Sequence, residues 1–82
     1  MNEPIAMNRL QPNQSGRVLH MDAPREIKRR LEELGLLKGT DVQCLGRSPL
    51  GDPKAYLICG AVIAIRDRDC AGILIQPRES DL

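Results

Sequence analysis

The segment 24–45, PREIKRRLEELGLLKGTDVQCL, contains the change of hydrophobic period that decides the fold. In its first half the apolar residues follow the i, i+4, i+7 spacing of one helical face, at Ile27, Leu31 and Leu34. Pro24 suits the first turn of a helix, because the amide it lacks would have no helical partner there. After Gly39 the period becomes two, which is typical of a strand. The segment therefore predicts an α-helix at about residues 24–34 and a β-strand after it.

Three glycines have predicted structural roles. Gly35 stands where a helix commonly ends in a left-handed residue. Gly39 lets the chain turn from the helix into the next strand, and Gly60 separates two apolar runs as a hinge. We expect these positions to need the conformational freedom of glycine.

The rest of the chain predicts a mainly β domain. Short apolar runs separated by turn residues predict five strands, at residues 17–21, 41–45, 55–59, 61–65 and 72–76. Short, regularly punctuated strands favour a small barrel, in which closure of the sheet removes exposed edges. The residues expected in the barrel core are Val18, Val42, Leu57, Ile63, Ile65, Ile73 and Ile75.

The 82 residues support a single domain, which we place at residues 9–77. Residues 1–8 have no clear period and are predicted to form a flexible N-terminal arm, and residues 78–82 a C-terminal tail. Met7 and Leu10 are three residues apart, so one helical turn there would dock both side chains on the core.

Composition excludes several classes of protein. Tyr56 is the only aromatic residue and the formal net charge is +1, which argues against nucleic-acid binding by base stacking or by phosphate attraction. The longest nearly apolar run, residues 55–65, is far shorter than the about 20 residues of a membrane helix. The first residues lack the features of a signal peptide, so we expect a cytoplasmic protein.

Catalytic groups are sparse in the sequence. His20 is the only histidine, no serine stands in a nucleophile elbow, and no Gly-rich phosphate loop occurs. Asp67 and Asp69 alternate with arginines in a predicted charged turn, which would keep both carboxylates ionised rather than separate their pKa values. The sequence therefore predicts a protein that is not an enzyme and carries no cofactor.

Four soft ligands leave a metal site open as an alternative: His20, Cys44, Cys59 and Cys70. If they converged they could bind zinc or iron, in a metal-sensing or metal-delivery protein. Their spacing contains no paired knuckle, so we favour the interpretation that each cysteine is a small buried apolar residue on a strand.

The loop between the second and third predicted strands is the most particular stretch of the chain. Two prolines, Pro49 and Pro53, fix φ at both ends. Between them Gly51 permits a positive φ, and Asp52 can accept hydrogen bonds from nearby backbone amides. The loop is either a rigid corner of the barrel or a preformed tip that presents Leu50 to a partner.

Three runs in this sequence closely resemble the FeoA family (ferrous iron transport protein A). They are residues 29–40 (RRLEELGLLKGT), 47–53 (RSPLGDP) and 60–66 (GAVIAIR). The resemblance covers about residues 7–76, and the PLGDP run is its most specific part. Two positions depart from the family pattern: Ile65 replaces the usual leucine, and Asn13 replaces a frequent glycine, for which we expect a turn of altered shape.

The resemblance implies an SH3-like β-barrel with one helix inserted after the first strand. It also implies a cytosolic accessory role in bacterial ferrous iron uptake, alongside the membrane GTPase transporter FeoB. On this basis the expected partner-binding residues are Arg29 and Arg30 of the helix, together with Pro49, Leu50, Gly51, Asp52 and Pro53 of the loop. The sequence leaves open whether the chain forms a homodimer.

Overall fold

The computed structural model describes residues 3–78 and contains six strands, two α-helices and one 3₁₀ turn. In chain order these are β1 (Ile5–Ala6), the 3₁₀ turn (Met7–Arg9), β2 (Ser15–Met21), α1 (Arg25–Glu33), β3 (Asp41–Arg47), β4 (Lys54–Ile58), β5 (Ala61–Ile65), α2 (Asp67–Cys70) and β6 (Ile73–Pro77). The mainly β architecture with the predicted inserted helix is confirmed, and the bounds of the five predicted strands and of α1 agree within two residues. The charged turn predicted around Asp67 and Asp69 is wrong, because this segment forms the short helix α2.

All strand pairs are antiparallel and form one curved sheet in the order β1-β6-β2-β3-β4-β5. Strand β2 is central, because its first residues pair with β3 and most of its length pairs with β6. The register shifts between Val18 and His20 on β2 and between Cys44 and Gly46 on β3, where bulges bend the sheet around its core.

The N-terminal segment is part of the domain, so the predicted flexible arm is wrong for residues 5–8. Ile5 and Ala6 pair with Ile75 and Leu74 of β6. The predicted docking turn is confirmed, since Met7 and Leu10 are completely buried. Because residues 1–8 have no hydrophobic period, the pairing of Ile5 and Ala6 with β6 could not be predicted from the sequence. Residues 1–2 and 79–82, which include most of the predicted tail, lie outside the described residues.

The core is aliphatic apart from one ring. Five of its predicted members are buried: Val18, Val42, Ile65, Ile73 and Ile75. Ile63 packs partly buried against them. The prediction that Leu57 belongs to the core is wrong, because Tyr56 and Ile58 take the inward positions of β4 and side chains alternate along a strand.

The apolar stripe of α1 is only partly buried. Leu31 is in the core and Ile27 packs against it, but Leu34 is 42% exposed. The helix ends at Glu33, and Leu36 takes the buried position beyond it. Because the chain leaves the helix after Glu33, Leu36 rather than Leu34 is the third apolar residue that is buried here.

Positive φ angles mark the turns. Gly35, Gly39 and Gly60 have φ of 103°, 90° and 82°, as expected of left-handed residues. Asn13 has φ of 70°, so it adopts the conformation that a glycine would favour there. Asparagine tolerates this region better than most residues, so the substitution keeps the left-handed backbone of the turn.

No helix among residues 3–78 is long and apolar enough to cross a membrane. The longest, α1, has 9 residues.

Two strand glycines provide a matched test of the packing of β2 against β6. A Cβ atom at Gly16 would clash with Cγ2 of Ile75 and with the backbone oxygen of Gln76, whereas one at Gly46 meets nothing within 4 Å. We expect Gly16→Ala to lower the free energy of unfolding by about 1–3 kcal/mol. Gly46→Ala should change it by less than about 0.5 kcal/mol. Urea denaturation measures both, and equal midpoints would contradict the observed packing.

Candidate docking surface

The loop between β3 and β4 is a tight turn with an exposed apolar tip. The Gly51 amide donates to the Ser48 carbonyl oxygen at 2.8 Å, and the Ser48 amide donates to the Pro53 carbonyl oxygen at 3.2 Å. Gly51 has φ of 88°, and the Asp52–Pro53 peptide is cis. The Leu50 side chain at the tip is 93% exposed, so the loop does present it to solvent.

Asp52 ties this loop to α2. Its Oδ1 accepts a hydrogen bond from the Asp67 amide at 2.9 Å, which is the first amide of the helix. Its Oδ2 lies 3.9 Å from a guanidinium nitrogen of Arg66, a loose and largely exposed ion pair. The carboxylate therefore has a structural role inside the predicted partner-binding loop, because it satisfies a helix amide that lacks an intrahelical partner.

Lys54, the first residue of β4, is a buried charged residue at the base of the loop. Its side chain is 5% exposed, and its ammonium nitrogen lies 3.5 Å from Oδ1 of Asp67 and donates to the Asn8 carbonyl oxygen. One buried ammonium thus connects β4, α2 and the 3₁₀ turn. Sequence reasoning missed this residue, since a single lysine after a loop carries no signal that it will be buried.

A groove of about 420 Å³ lies beside the loop, between α1 and β5. Pro53 from the loop and Arg30 from the helix both line it, so the structure brings these two predicted residues together. Arg29 is not part of the lining. It is largely exposed, and its Nε lies 3.4 Å from Oε1 of Glu33.

The four candidate metal ligands do not form a cluster. Cys44 is buried on β3 and Cys70 is buried at the end of α2, while His20 is exposed on β2. Cys59 is exposed in the turn after β4, so the expectation that it is buried on a strand is wrong. Cys70 is buried as expected, but it lies on a helix rather than on a strand. Among residues 3–78 no group of three or more His, Cys, Asp or Glu side chains is arranged to hold a metal ion.

Two buried groups beneath the loop resist ionisation. The Tyr56 hydroxyl lies 3.5 Å from the Met7 carbonyl oxygen and 3.8 Å from the Cys70 sulfur. Burial raises the pKa of Tyr56 well above its ordinary value, and nearby Cys70 adds to the effect. Burial likewise raises the pKa of the Cys70 thiol to about 11. At neutral pH both groups are therefore held in the neutral form, which is the less nucleophilic form of a thiol.

The architecture defines a small SH3-like β-barrel with one inserted helix and an exposed loop held by buried polar contacts. A comparison with protein-family models matches residues 5–77 to the FeoA domain. The chain belongs to the FeoA domain family.

Solved structures of similar proteins agree with this assignment. A FeoA protein from Chlorobium tepidum is 27% identical with a TM-score of 0.87, and the match covers 95% of this chain and 74% of that one. A FeoA-like protein from Clostridium acetobutylicum is 22% identical with a TM-score of 0.86, over 100% and 95% of the two chains, and shows the fold alone.

A third structure is the zinc complex of FeoA from Stenotrophomonas maltophilia, described as an SH3 domain protein suggested to be a bacterial ferrous iron transport activating factor. It is 25% identical with a TM-score of 0.74, and the match covers 88% of this chain and 89% of that one. A comparison with curated proteins found no match.

Replacing Lys54 tests whether the buried ammonium fixes the root of the loop. Lys54→Met keeps most of the volume but leaves Asp67 and the Asn8 carbonyl without their shared partner. We expect the free energy of unfolding to fall by about 1–3 kcal/mol in urea denaturation. Lys38→Met, at an exposed position, is the matched control and should have almost no effect. A Lys54 variant as stable as the parent would refute this role.

The pKa of Cys70 predicts how stability changes in alkali. In the unfolded chain the thiol ionises near its ordinary value of 9.0, whereas the folded chain holds the proton to about pH 11. The stabilisation from the neutral buried thiol is therefore complete below pH 9 and is lost between pH 9 and 11. The slope of the denaturation midpoint over this window should be shallower for Cys70→Ala than for the parent. Parallel curves for the parent and Cys70→Ala would contradict this.

Proposed function

We propose that this chain is a non-enzymatic, cytosolic accessory protein of bacterial ferrous iron uptake. It docks on the cytosolic part of a FeoB-type membrane GTPase and modulates it. Membership of the FeoA family supports the role in iron uptake, as does the description of the Stenotrophomonas maltophilia relative as a candidate activating factor of ferrous iron transport.

The observation that carries the docking proposal is the exposed tip of the anchored loop. A leucine that is 93% exposed gains free energy when a partner covers it. The loop that holds it is fixed at its root by Asp52 and Lys54, so little ordering entropy is lost on binding. Arg30 of the helix is exposed and lines the groove beside the loop, so it supplies positive charge to the same proposed surface, and Arg29 is exposed next to it on α1.

Leu50→Asp tests the surface without disturbing the core. In a titration of the purified cytosolic part of the FeoB-type partner into the ¹⁵N-labelled chain, we expect amide shifts in the loop and in α1. Leu50→Asp should weaken binding at least about tenfold, as expected when an anchor worth about 1.4 kcal/mol is lost. Leu74→Asp, at a leucine that is 38% exposed on β6, is the control and should bind like the parent.

The titration is carried out with the partner in its GDP state and with a GTP analogue. Equal affinity of Leu50→Asp and the parent would remove the loop from the docking surface. Absence of any shift with either nucleotide would overturn the docking proposal itself.

A further inference from the structure

Strand β5 ends the sheet with one unpaired edge. It pairs with β4 on one side, and among the described residues no strand lies on its other side. The turn before it consists of Cys59 and Gly60, with φ of 50° and 82°, and joins the paired residues Ile58 and Ala61. Two positive φ angles in a two-residue hairpin loop are the signature of a type I′ turn.

The hairpin geometry determines which backbone groups face the open edge. In a two-residue hairpin the residues that flank the turn exchange their hydrogen bonds, so Ala61 directs its N–H and C=O toward β4. Alternation along the strand then directs the N–H and C=O groups of Val62 and Ala64 away from β4. Both residues are exposed, and Val62 is 66% exposed. A free row of donors and acceptors therefore lies at the surface.

Apolar surface flanks this edge on both faces of the sheet. On the inner face the groove between α1 and β5 is lined by Ile27, Leu34 and Ile63, and Leu34 is 42% exposed. On the outer face Val62 projects into solvent. Since successive side chains of a strand point to opposite faces, an added strand would place one set in the groove and the other beside Val62.

The charges around the groove indicate what the added strand carries. Arg30, Arg66 and Arg68 line the groove, against the single carboxylate of Asp69. Asp52 lies 3.9 Å from Arg66 and neutralises it only loosely, because both side chains are substantially exposed. The surplus of guanidinium groups favours an acidic segment. It disfavours a second copy of this chain, which would bring two arginine-lined grooves together.

We propose that β5 is a strand-addition site for an extended segment of a partner protein in which acidic side chains alternate with apolar ones. Backbone hydrogen bonds to Val62 and Ala64 supply the register, the arginines of the groove take the acidic side chains of one face, and Val62 packs against the apolar side chains of the other. The placement of this segment on a FeoB-type transporter rests on the function proposed above, whereas the site itself does not.

The test uses two blocked octapeptides, one alternating glutamate with valine and one alternating lysine with valine. Each is titrated into the full ¹⁵N-labelled chain at low ionic strength. We expect the acidic peptide to shift the amide signals of β5 and of the groove face of α1, to slow amide exchange at residues 62 and 64, and to bind at least about tenfold more tightly than the basic one. Equal binding of the two peptides, shifts that map away from β5, or no shift at millimolar peptide would each overturn the proposal. Shifts at residues 62 and 64 that depend on the chain's own concentration would show a second copy as the occupant and would also overturn it.

Val62→Pro removes one outward N–H without cutting the ladder to β4, and proline is tolerated at an edge strand. Val62→Thr keeps the N–H and the β-branched shape. We expect the proline variant to lose binding of the acidic peptide and the threonine variant to retain most of it. If both bind equally, the edge is not the site.

A second pair of variants does not alter β5. Arg30→Glu combined with Arg68→Glu should reverse the preference toward the lysine peptide. Arg25→Glu combined with Arg47→Glu changes the net charge equally at exposed positions outside the groove lining and should keep the preference. An unchanged preference in the first pair would overturn the role of the arginines.

The same variants separate this inference from the proposed function. If the chain binds the acidic peptide at β5 but not the cytosolic part of FeoB, the edge site stands and the transporter is the wrong partner. If it binds that part of FeoB, and Val62→Pro binds it as tightly as the parent does, the docking stands and the placement of the added strand on FeoB fails.

Discussion

The ring of Tyr56 lies where β4 meets the 3₁₀ turn and α2, with its hydroxyl within 4 Å of the Met7 carbonyl oxygen and the Cys70 sulfur. It is completely buried and is the only aromatic side chain of the protein. An aromatic ring buries a large rigid surface, and the hydroxyl of this one reaches both of these segments. Because Tyr56 fills that place, the N-terminal turn and α2 can pack against the same strand.

The residues before Tyr56 in the chain connect the core to the exposed loop between β3 and β4. Two residues earlier on the same face, Lys54 enters the interior and holds Asp67 and the Asn8 carbonyl. Asp52 then satisfies the first amide of α2. The side chains of Lys54 and Asp52 therefore fix the base of the loop that exposes Leu50. The tip of the loop adds exposed apolar area, while its base is held in place.

The exposed loop tip, the groove between α1 and β5 and the free edge of β5 adjoin one another, since Pro53 and Arg30 belong both to the predicted partner-binding set and to the lining of the groove. An apolar tip, a groove bordered by arginines and unpaired backbone groups are the features of a protein interaction surface. They agree with a family of small accessory domains.

The sequence by itself determined the helix, the five main strands, the left-handed glycines and the family, because hydrophobic period and turn chemistry are local properties. It also identified the loop around Leu50, where two prolines and a glycine leave few conformations. Only the tertiary structure decided that Lys54 is buried, that Tyr56 is central and that residues 5–8 join the sheet. It also decided that the cysteines stay apart and that β5 has a free edge. These depend on which distant segments meet, and partners separated by some 46 residues, as Lys54 and Asn8 are, leave no trace in the local pattern.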